Sequence, residues 1–295
     1  MLIKIINIFC TPYIYNIANA LKSIFEEMNI ETNLFCRKIE ESDIIQCKNN
    51  ENLYMFLFCP QWIYSGDINK LPKYKYFFYQ LEQFDKNNSP HIKNNYVINF
   101  MNYSKHIFDY SKINIEYYKN PPFNFTNNKF SLLIPPIPEI NKENNKDIDV
   151  LFVGSLNSIR RQKILSNIQQ NNINITIANN CFGENLSNII SRSKIFLNIR
   201  YSNSTILETC RLHEALLSYN TYIISEYPGN SLEKEFIKKY KKRIYFIDEI
   251  KNNSSQLIKM IKTILSIYDS SKKNYFDKND LHSLIKEELI NVFNK

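Results

Sequence analysis

The stretch Asp149-Val-Leu-Phe-Val-Gly-Ser-Leu156, continued by Asn157-Ser-Ile-Arg-Arg161, decides the fold. Val150 to Val153 is a short apolar run suited to a buried strand, and Gly154 lets another group approach the backbone closely. The polar run Ser155 to Ser158 then leads into a helix carrying Arg160, Arg161 and Lys163. Strand, glycine turn and helix in that order put backbone N–H groups and guanidinium groups where phosphate oxygens can sit. Further along, Thr205-Ile-Leu-Glu208 and Glu214-Ala-Leu-Leu217 extend the same nucleotide-binding α/β pattern.

Working outward, the alternation of strand and helix fills both halves of the chain. After the strand at 149 to 153, the pattern predicts a helix over about 158 to 170 and a strand at Ile173 to Ala178. A helix at Glu184 to Ser191 and a strand at Ile195 to Ile199 follow, then a helix over about 206 to 218 and a strand at Thr221 to Ser225. Upstream, strands are expected at Ile3 to Phe9, Thr32 to Phe35, Leu53 to Phe58, Tyr74 to Tyr79, His106 to Phe108 and Phe130 to Ile134. The first of these leads into a helix whose apolar residues Ile14, Ile17, Ala18, Leu21, Phe25 and Met28 follow the 3.6-residue period. Strands alternating with helices imply mainly parallel sheets.

Between Pro135 and Asp147 three prolines precede a polar run without periodicity, which reads as a linker. The expected organisation is a first α/β domain over 1–135 and a second over 148–295, the two facing each other across a cleft. Two tail helices carry apolar stripes, Leu257, Ile258, Ile261, Leu265 and then Leu281, Leu284, Ile285, Leu289, and the last is expected to pack back on the first domain.

The 295 residues suffice for two cores, and 44% hydrophobic with 22% charged residues is an ordinary globular composition. A net charge of +8 favours an anionic partner, whether nucleic acid, a membrane surface or a nucleotide diphosphate. The run Lys238-Lys-Tyr-Lys-Lys-Arg243 reads as a solvated helix end. Tyrosines and phenylalanines fall in strand-like runs such as Tyr76-Phe-Phe-Tyr79, so they read as core rather than as a nucleic-acid stacking surface. The six cysteines lack CxxC spacing and read as reduced core or loop thiols. No apolar run is long enough to span a bilayer, and Met1 to Cys10 lacks a small-residue cleavage site. The expectation is a cytoplasmic protein, in the host cytoplasm if the gene is viral, with at most peripheral membrane contact.

Several segments, in order, resemble the GT-B glycosyltransferases, in particular the retaining "group 1" type. The second half is similar to their donor-binding domain in Asp149-Val-Leu-Phe-Val-Gly-Ser-Leu-Asn157 with Arg160-Arg161, in Lys194-Ile-Phe-Leu-Asn198, in Leu207-Glu-Thr-Cys-Arg-Leu-His-Glu-Ala-Leu217 and in Tyr222-Ile-Ile-Ser-Glu226. The first half resembles the partner domain of a less-studied branch in Tyr79-Gln-Leu-Glu-Gln83, Phe108-Asp-Tyr-Ser-Lys-Ile-Asn114 and Leu133-Ile-Pro-Pro136. The chain departs from the family pattern where Ser218-Tyr-Asn-Thr221 replaces Gly and Pro, and where five residues rather than seven separate Glu208 from Glu214. That spacing leaves open which glutamate would bind the ribose, and it keeps alive a second reading, a GT-B-like binding protein without catalysis.

The resemblance implies transfer of a sugar from a nucleotide-diphosphate donor to a glycan, lipid or protein acceptor, with no cofactor, no metal and retention at the anomeric carbon. Growing charge on the diphosphate would be met by protein cations and helix N-termini. The donor-site candidates are Gly154, Ser155, Asn157, Arg160, Arg161, Arg200, Glu208, Arg211 and Glu214. The candidates for the chemistry are Glu208, Arg160 and, on the acceptor side, Glu82. Thr205-Ile-Leu-Glu208 also fits a capping box, in which Glu208 ties back to the helix start. Asp109 reads as the N-cap of the following helix rather than as an acceptor-orienting group. His91, His106, His213 and His282 lack metal-ligand spacing, though His213 stands beside Glu214. Asp147-Ile-Asp149 matches a metal-binding Asp-x-Asp, but it precedes the first strand of its domain, at the wrong edge of the sheet.

Overall fold

A computed structural model describes residues 3–82, 95–121, 123, 125–126, 129–138, 145–201, 206–216, 220–227, 238, 240, 243–247, 254–269 and 279–294. The chain forms two compact units, Met1–Pro136 together with Lys278–Lys295, and Ile137–Asp277.

The first unit holds β1 (Ile5–Phe9), α1 (Tyr15–Glu27), β2 (Glu31–Phe35), α2 (Glu41–Asn49), β3 (Leu53–Phe58), β4 (Tyr76–Gln80), α3 (Asn95–Tyr103), β5 (His106–Asp109), α4 (Lys112–Tyr118) and β6 (Phe130–Leu132). The strands form one parallel sheet in the order β2-β1-β3-β4-β5-β6. Every residue of β3 and β4 is buried, as expected of central parallel strands covered on both faces. On one face Met55, Leu57, Tyr76, Phe78 and Ile107 pack with Ile44 of α2 and with Val97 and Phe100 of α3. The other face is aromatic: Phe56 stacks on Phe108 with centroids 5.6 Å apart and meets Phe25 of α1 edge-on at 5.4 Å.

The second unit runs through β7 (Ile148–Val153), α5 (Ile159–Gln170), β8 (Ile175–Ala178), α6 (Gly183–Ser191), β9 (Ser193–Asn198), α7 (Thr209–Leu216), β10 (Tyr222–Glu226), β11 (Ile244–Ile247) and α8 (Ser254–Ile267). Its sheet is also parallel, in the order β11-β10-β9-β7-β8. Val150, Phe152, Ile195, Leu197 and Ile224 form one face of the core with apolar residues of α5 and α8.

The final helix, α9 (Asn279–Phe293), belongs to the first unit. Phe293 lies 5.0 Å from the Phe77 ring and 5.9 Å from the Phe25 ring, and Lys286 pairs with Glu27. Strand order reverses between β1 and β3 in one sheet and between β7 and β9 in the other. These are the switch points whose carboxyl-side crevices hold ligands in open α/β sheets.

Three local expectations need correction. The helix expected from about 206 begins at Thr209, with the Glu208 carbonyl accepting from Leu212 N–H at 3.2 Å. Thr205, its proposed capping partner, lies outside the described residues, as do His91, Gln83 and Leu217. Ser111, not Asp109, caps α4 by accepting from Ile113 N–H, and Asp109 accepts from Ser111 N–H at 2.8 Å one step earlier. Finally, Arg243 is buried rather than a solvated helix end, and it donates to the Leu216 carbonyl at the end of α7 at 3.1 Å.

Candidate functional site

The carboxyl ends of β7 and β9 gather arginines around one glycine. Gly154, the residue after β7, has a φ of +143°, which L side chains rarely adopt, and its N–H donates to the Ala178 carbonyl at 2.9 Å. A Cβ there would stand 3.2 Å from Arg161 Nη1 and 3.4 Å from Arg211 Nη2, so two guanidinium groups close directly over the turn. The loop continues through half-buried Ser155 and exposed Asn157, whose N–H donates to the Ser155 hydroxyl at 3.2 Å. Ser158 then caps α5, accepting from Arg161 N–H, while its hydroxyl donates to the Tyr201 carbonyl at 2.7 Å and ties the helix start to the end of β9.

Arg161 is buried at this junction. Its Nε donates to the Ile199 carbonyl at 2.9 Å and its Nη1 to the Ser155 carbonyl at 3.2 Å, and its guanidinium lies between the rings of Phe152 and Tyr201, 5.4 and 5.2 Å from their centroids. Burial, then the neighbouring Arg211, lowers its pKa to about 10, opposed by Glu208 and Glu226; it stays charged at neutral pH. Arg211, in the first turn of α7, donates to the Val153 carbonyl and pairs with Glu208 Oε2 at 3.0 Å. Glu208 Oε1 is 3.5 Å from Arg161 Nη2, so one carboxylate aligns both guanidinium groups.

A second cluster adjoins the first. Arg160 forks onto Glu226 with both terminal nitrogens and donates to the Arg200 carbonyl at 3.2 Å. Glu226, at the end of β10, is buried, and it also accepts from the Arg200 N–H at 2.7 Å. Sequence reading quoted Glu226 only as part of a strand match and assigned it no role. The available signal was a carboxylate ending an apolar strand opposite arginines that end or follow other strands.

Glu214 lies on α7 near Arg211 and near Cys181, the thiol in the loop after β8. Burial raises its carboxyl pKa to about 8 despite the opposing pull of Arg211, so it is largely protonated at neutral pH. At this edge four guanidinium groups therefore face two carboxyl groups, those of Glu208 and Glu226. Two cations also occupy the first turn of α5, where the helix dipole already favours negative charge. The balance is electropositive and suited to an anion.

The other candidates fall elsewhere. Glu82 follows β4 in the first unit; its N–H donates to Gln80 Oε1 at 3.2 Å and its carbonyl accepts from Asn114 Nδ2 at 3.0 Å. Asp109 is fully buried and accepts from Ser111, Asn114 and Tyr118, and burial raises its pKa against those hydrogen bonds. His213 is buried beside Tyr240, 3.1 Å from its hydroxyl, and His106 lies 3.0 Å from the Ser131 hydroxyl. Asp147 and Asp149 pair with Arg192 and Lys194 at the amino edge of the sheet. Among the described residues no group of three His, Cys, Asp or Glu side chains could hold a metal, and no helix is long and apolar enough to cross a membrane.

No protein-family model and no curated protein matches the sequence. A similar solved structure is that of HepE from Anabaena in complex with UDP and glucose, at 10% identity and a TM-score of 0.55, spanning 98% of this chain and 100% of that one. The fold is of the GT-B type. MurG of Acinetobacter baumannii (8% identity, 99% of each chain, TM-score 0.34) and CalG4, the calicheamicin glycosyltransferase (8% identity, 99% of this chain and 95% of that one, TM-score 0.33), are more distant. At such identities the likeness extends to the fold alone.

Proposed function

We propose that this chain is a glycosyltransferase that takes a sugar from a nucleotide-diphosphate donor held at the carboxyl edge of the second unit. The observation that carries the reading is the paired Arg161 and Arg211, aligned by Glu208 over Gly154 at the β7/β9 switch point, with positive charge left over. Two fixed guanidinium groups suit the oxygens of a diphosphate whose charge grows as the sugar leaves. In this proposal Arg160 and Arg200 add to the positive field, since the single Glu226 carboxylate offsets only one of their two charges. Ser155 and Asn157 supply loop donors, and Glu208 or Glu214 accepts from ribose hydroxyls. The first unit supplies the acceptor side, with Glu82 as its carboxylate. HepE, which shares the fold, was solved with UDP and glucose, so UDP-glucose is the first donor to try. Metal independence and retention at the anomeric carbon belong to the same proposal; turnover in chelator tests the first and proton NMR of the product's anomeric centre the second.

The test is thermal unfolding against UDP-, GDP-, ADP- and CMP-sugars in chelator, for the wild type and Arg161→Ala. A ligand at a hundred times its dissociation constant adds about 2.7 kcal/mol of stability. A melting shift with one nucleotide series, abolished in the variant, is the expected result. No shift with any series would overturn the reading in favour of a GT-B-like protein that binds something else.

A further inference from the structure

Two cysteines meet at the ends of neighbouring strands in the first unit. β1 and β2 run parallel with Phe9 opposite Phe35, and the Cys10 N–H donates to the Phe35 carbonyl at 3.0 Å, so the ladder stays bonded up to Cys10. Carrying the register one residue further sets Cys36 opposite Cys10. The side chains confirm that they share a face. The Phe9 and Phe35 rings stack with centroids 5.0 Å apart, and the Arg37 guanidinium lies over both, 4.8 Å from the Phe35 centroid and 5.6 Å from that of Phe9. With Phe35 and Arg37 on one face of the sheet, Cys36 between them is turned to the other, and Cys10, next to Phe9, is turned there too.

The same stack steadies the chain around the thiols. Arg37 forks onto Asp43 of α2 at 2.7 and 2.8 Å, and Asp43 accepts from the Glu40 N–H at 2.8 Å. A bidentate guanidinium–carboxylate pair of this kind fixes both position and direction. Cys36 is thereby held between a ring that stacks on β1 and a side chain anchored to α2.

The two thiols differ in access. Cys10 is fully buried, whereas Cys36 is exposed. Burial first, then the neighbouring Cys36 thiol, raises the Cys10 pKa, so Cys10 keeps its proton at neutral pH. An oxidant arriving from solvent therefore meets Cys36 first. An accessible thiol backed by a second one is the arrangement in which an initial oxidation product is resolved within the chain. Distance allows it, since parallel strands lie about 4.8 Å apart and disulfides span Cα separations of about 4.4–6.8 Å. Both cysteines also lie past the strand ends, where a small movement brings their Cβ atoms together. The other buried thiols face different groups: Cys47 donates to the Leu53 carbonyl at 3.5 Å, and Cys59 faces Gln80 Oε1 at 3.5 Å.

We propose that Cys10 and Cys36 form a reversible disulfide that clasps the edge strand β2 to β1, with a low-molecular-weight disulfide such as glutathione disulfide as the oxidant. The Cys36 thiolate attacks one sulfur of glutathione disulfide, forming a mixed disulfide and expelling one glutathione thiolate. Cys10 then gives up its proton and attacks Cys36 Sγ, forming the Cys10–Cys36 bond and expelling the second. Two electrons pass from the cysteines to glutathione disulfide, and their two protons end on the two glutathione molecules released. Excess reduced glutathione runs the sequence backwards. The site lies within the first unit and does not depend on the function proposed above.

The full-length protein is equilibrated in glutathione buffers of increasing oxidised fraction and quenched in acid. Its remaining thiols are then blocked before digestion and mass spectrometry. The expected result is a pair of peptides joined through Cys10 and Cys36 in oxidising buffer and separated again by reduced glutathione. Cys36→Ser should leave Cys10 a thiol at every ratio, and Cys10→Ala should stop Cys36 at the mixed disulfide. Because Cys36 is exposed, its replacement keeps the test open if that of Cys10 does not fold. The bond closes a loop over residues 11–35, so the linked protein should melt roughly 4–10 °C above the reduced one, a difference absent from Cys36→Ser. A wild type in which Cys36 stops at the mixed disulfide, Cys10 stays a thiol throughout, or either is joined to a different cysteine overturns the inference. So does a linked form that melts no higher than the reduced protein.

Discussion

The two sheets share one strand plan, yet their carboxyl edges have opposite chemistry. At the second, Arg160, Arg161, Arg200 and Arg211 face Glu208 and Glu226, and their hydrogen bonds go to carboxylates and backbone carbonyls, with Arg160 Nε and Asn198 Oδ1 left without a partner among the described residues. At the first, the same topological position holds glutamines, a thiol, aromatic rings and a carboxylate, with amide groups left unpaired. The plan of strands fixes where a crevice opens; the residues just past each strand decide what enters it.

The largest expected effect comes from Glu226→Ala. It strips a buried carboxylate from Arg160 and Arg200, and leaving such cations uncompensated should cost about 3–5 kcal/mol in denaturant unfolding. If the loss were under about 1 kcal/mol, the second edge would be less electrostatically bound than described. Next, Gly154→Ala forces a side chain onto a φ of +143° beneath two guanidinium groups. A stability loss of about 1–3 kcal/mol is expected, with UDP affinity reduced along with it, read by the melting shift with and without nucleotide.

Glu214→Gln sharpens the contrast through pH. The Glu214 carboxyl is raised from an ordinary 4.5 to about 8 in the folded chain, so folding favours its protonated form. That contribution is present in full below about 4.5 and is lost as pH rises toward 8. The wild type should therefore lose stability between pH 5 and 8 relative to Glu214→Gln, and parallel melting curves for the two proteins across that window would refute the assignment. The smallest effect is expected at the first edge, where Glu82→Gln should change stability by no more than about 0.5 kcal/mol in the same denaturant assay, because the residue is only half-buried and the substitution keeps its shape.

Much of the architecture was legible because buried parallel strands are written as short apolar runs. Leu53–Phe58 falls where the sequence places it, and Ile148–Val153 within one residue. The strand Ile244–Ile247 was missed because it is short and follows a lysine-rich run that reads as surface. At the site, Arg160, Arg161 and Glu208 could be singled out from their places beside strand and helix boundaries. The role of Glu226 could not, since it depends on which carboxylate meets which guanidinium across separate strands. The unpaired amides of Gln61 and Gln80 were invisible for a similar reason: a glutamine is polar in any sequence, and only packing reveals that a partner is missing.

The placement of α9 bears on how the chain is made. The first unit is built from the start of the chain and from a helix synthesised after the whole of the second. While the ribosome is still translating residues 137–277, Phe25 and Phe77 lack the ring of Phe293 that later covers them. The first unit, although it begins before the second, is therefore completed after it. A nascent chain must keep an aromatic surface from misassociating until α9 emerges, and a ribosome stalled anywhere in the second unit leaves that surface bare.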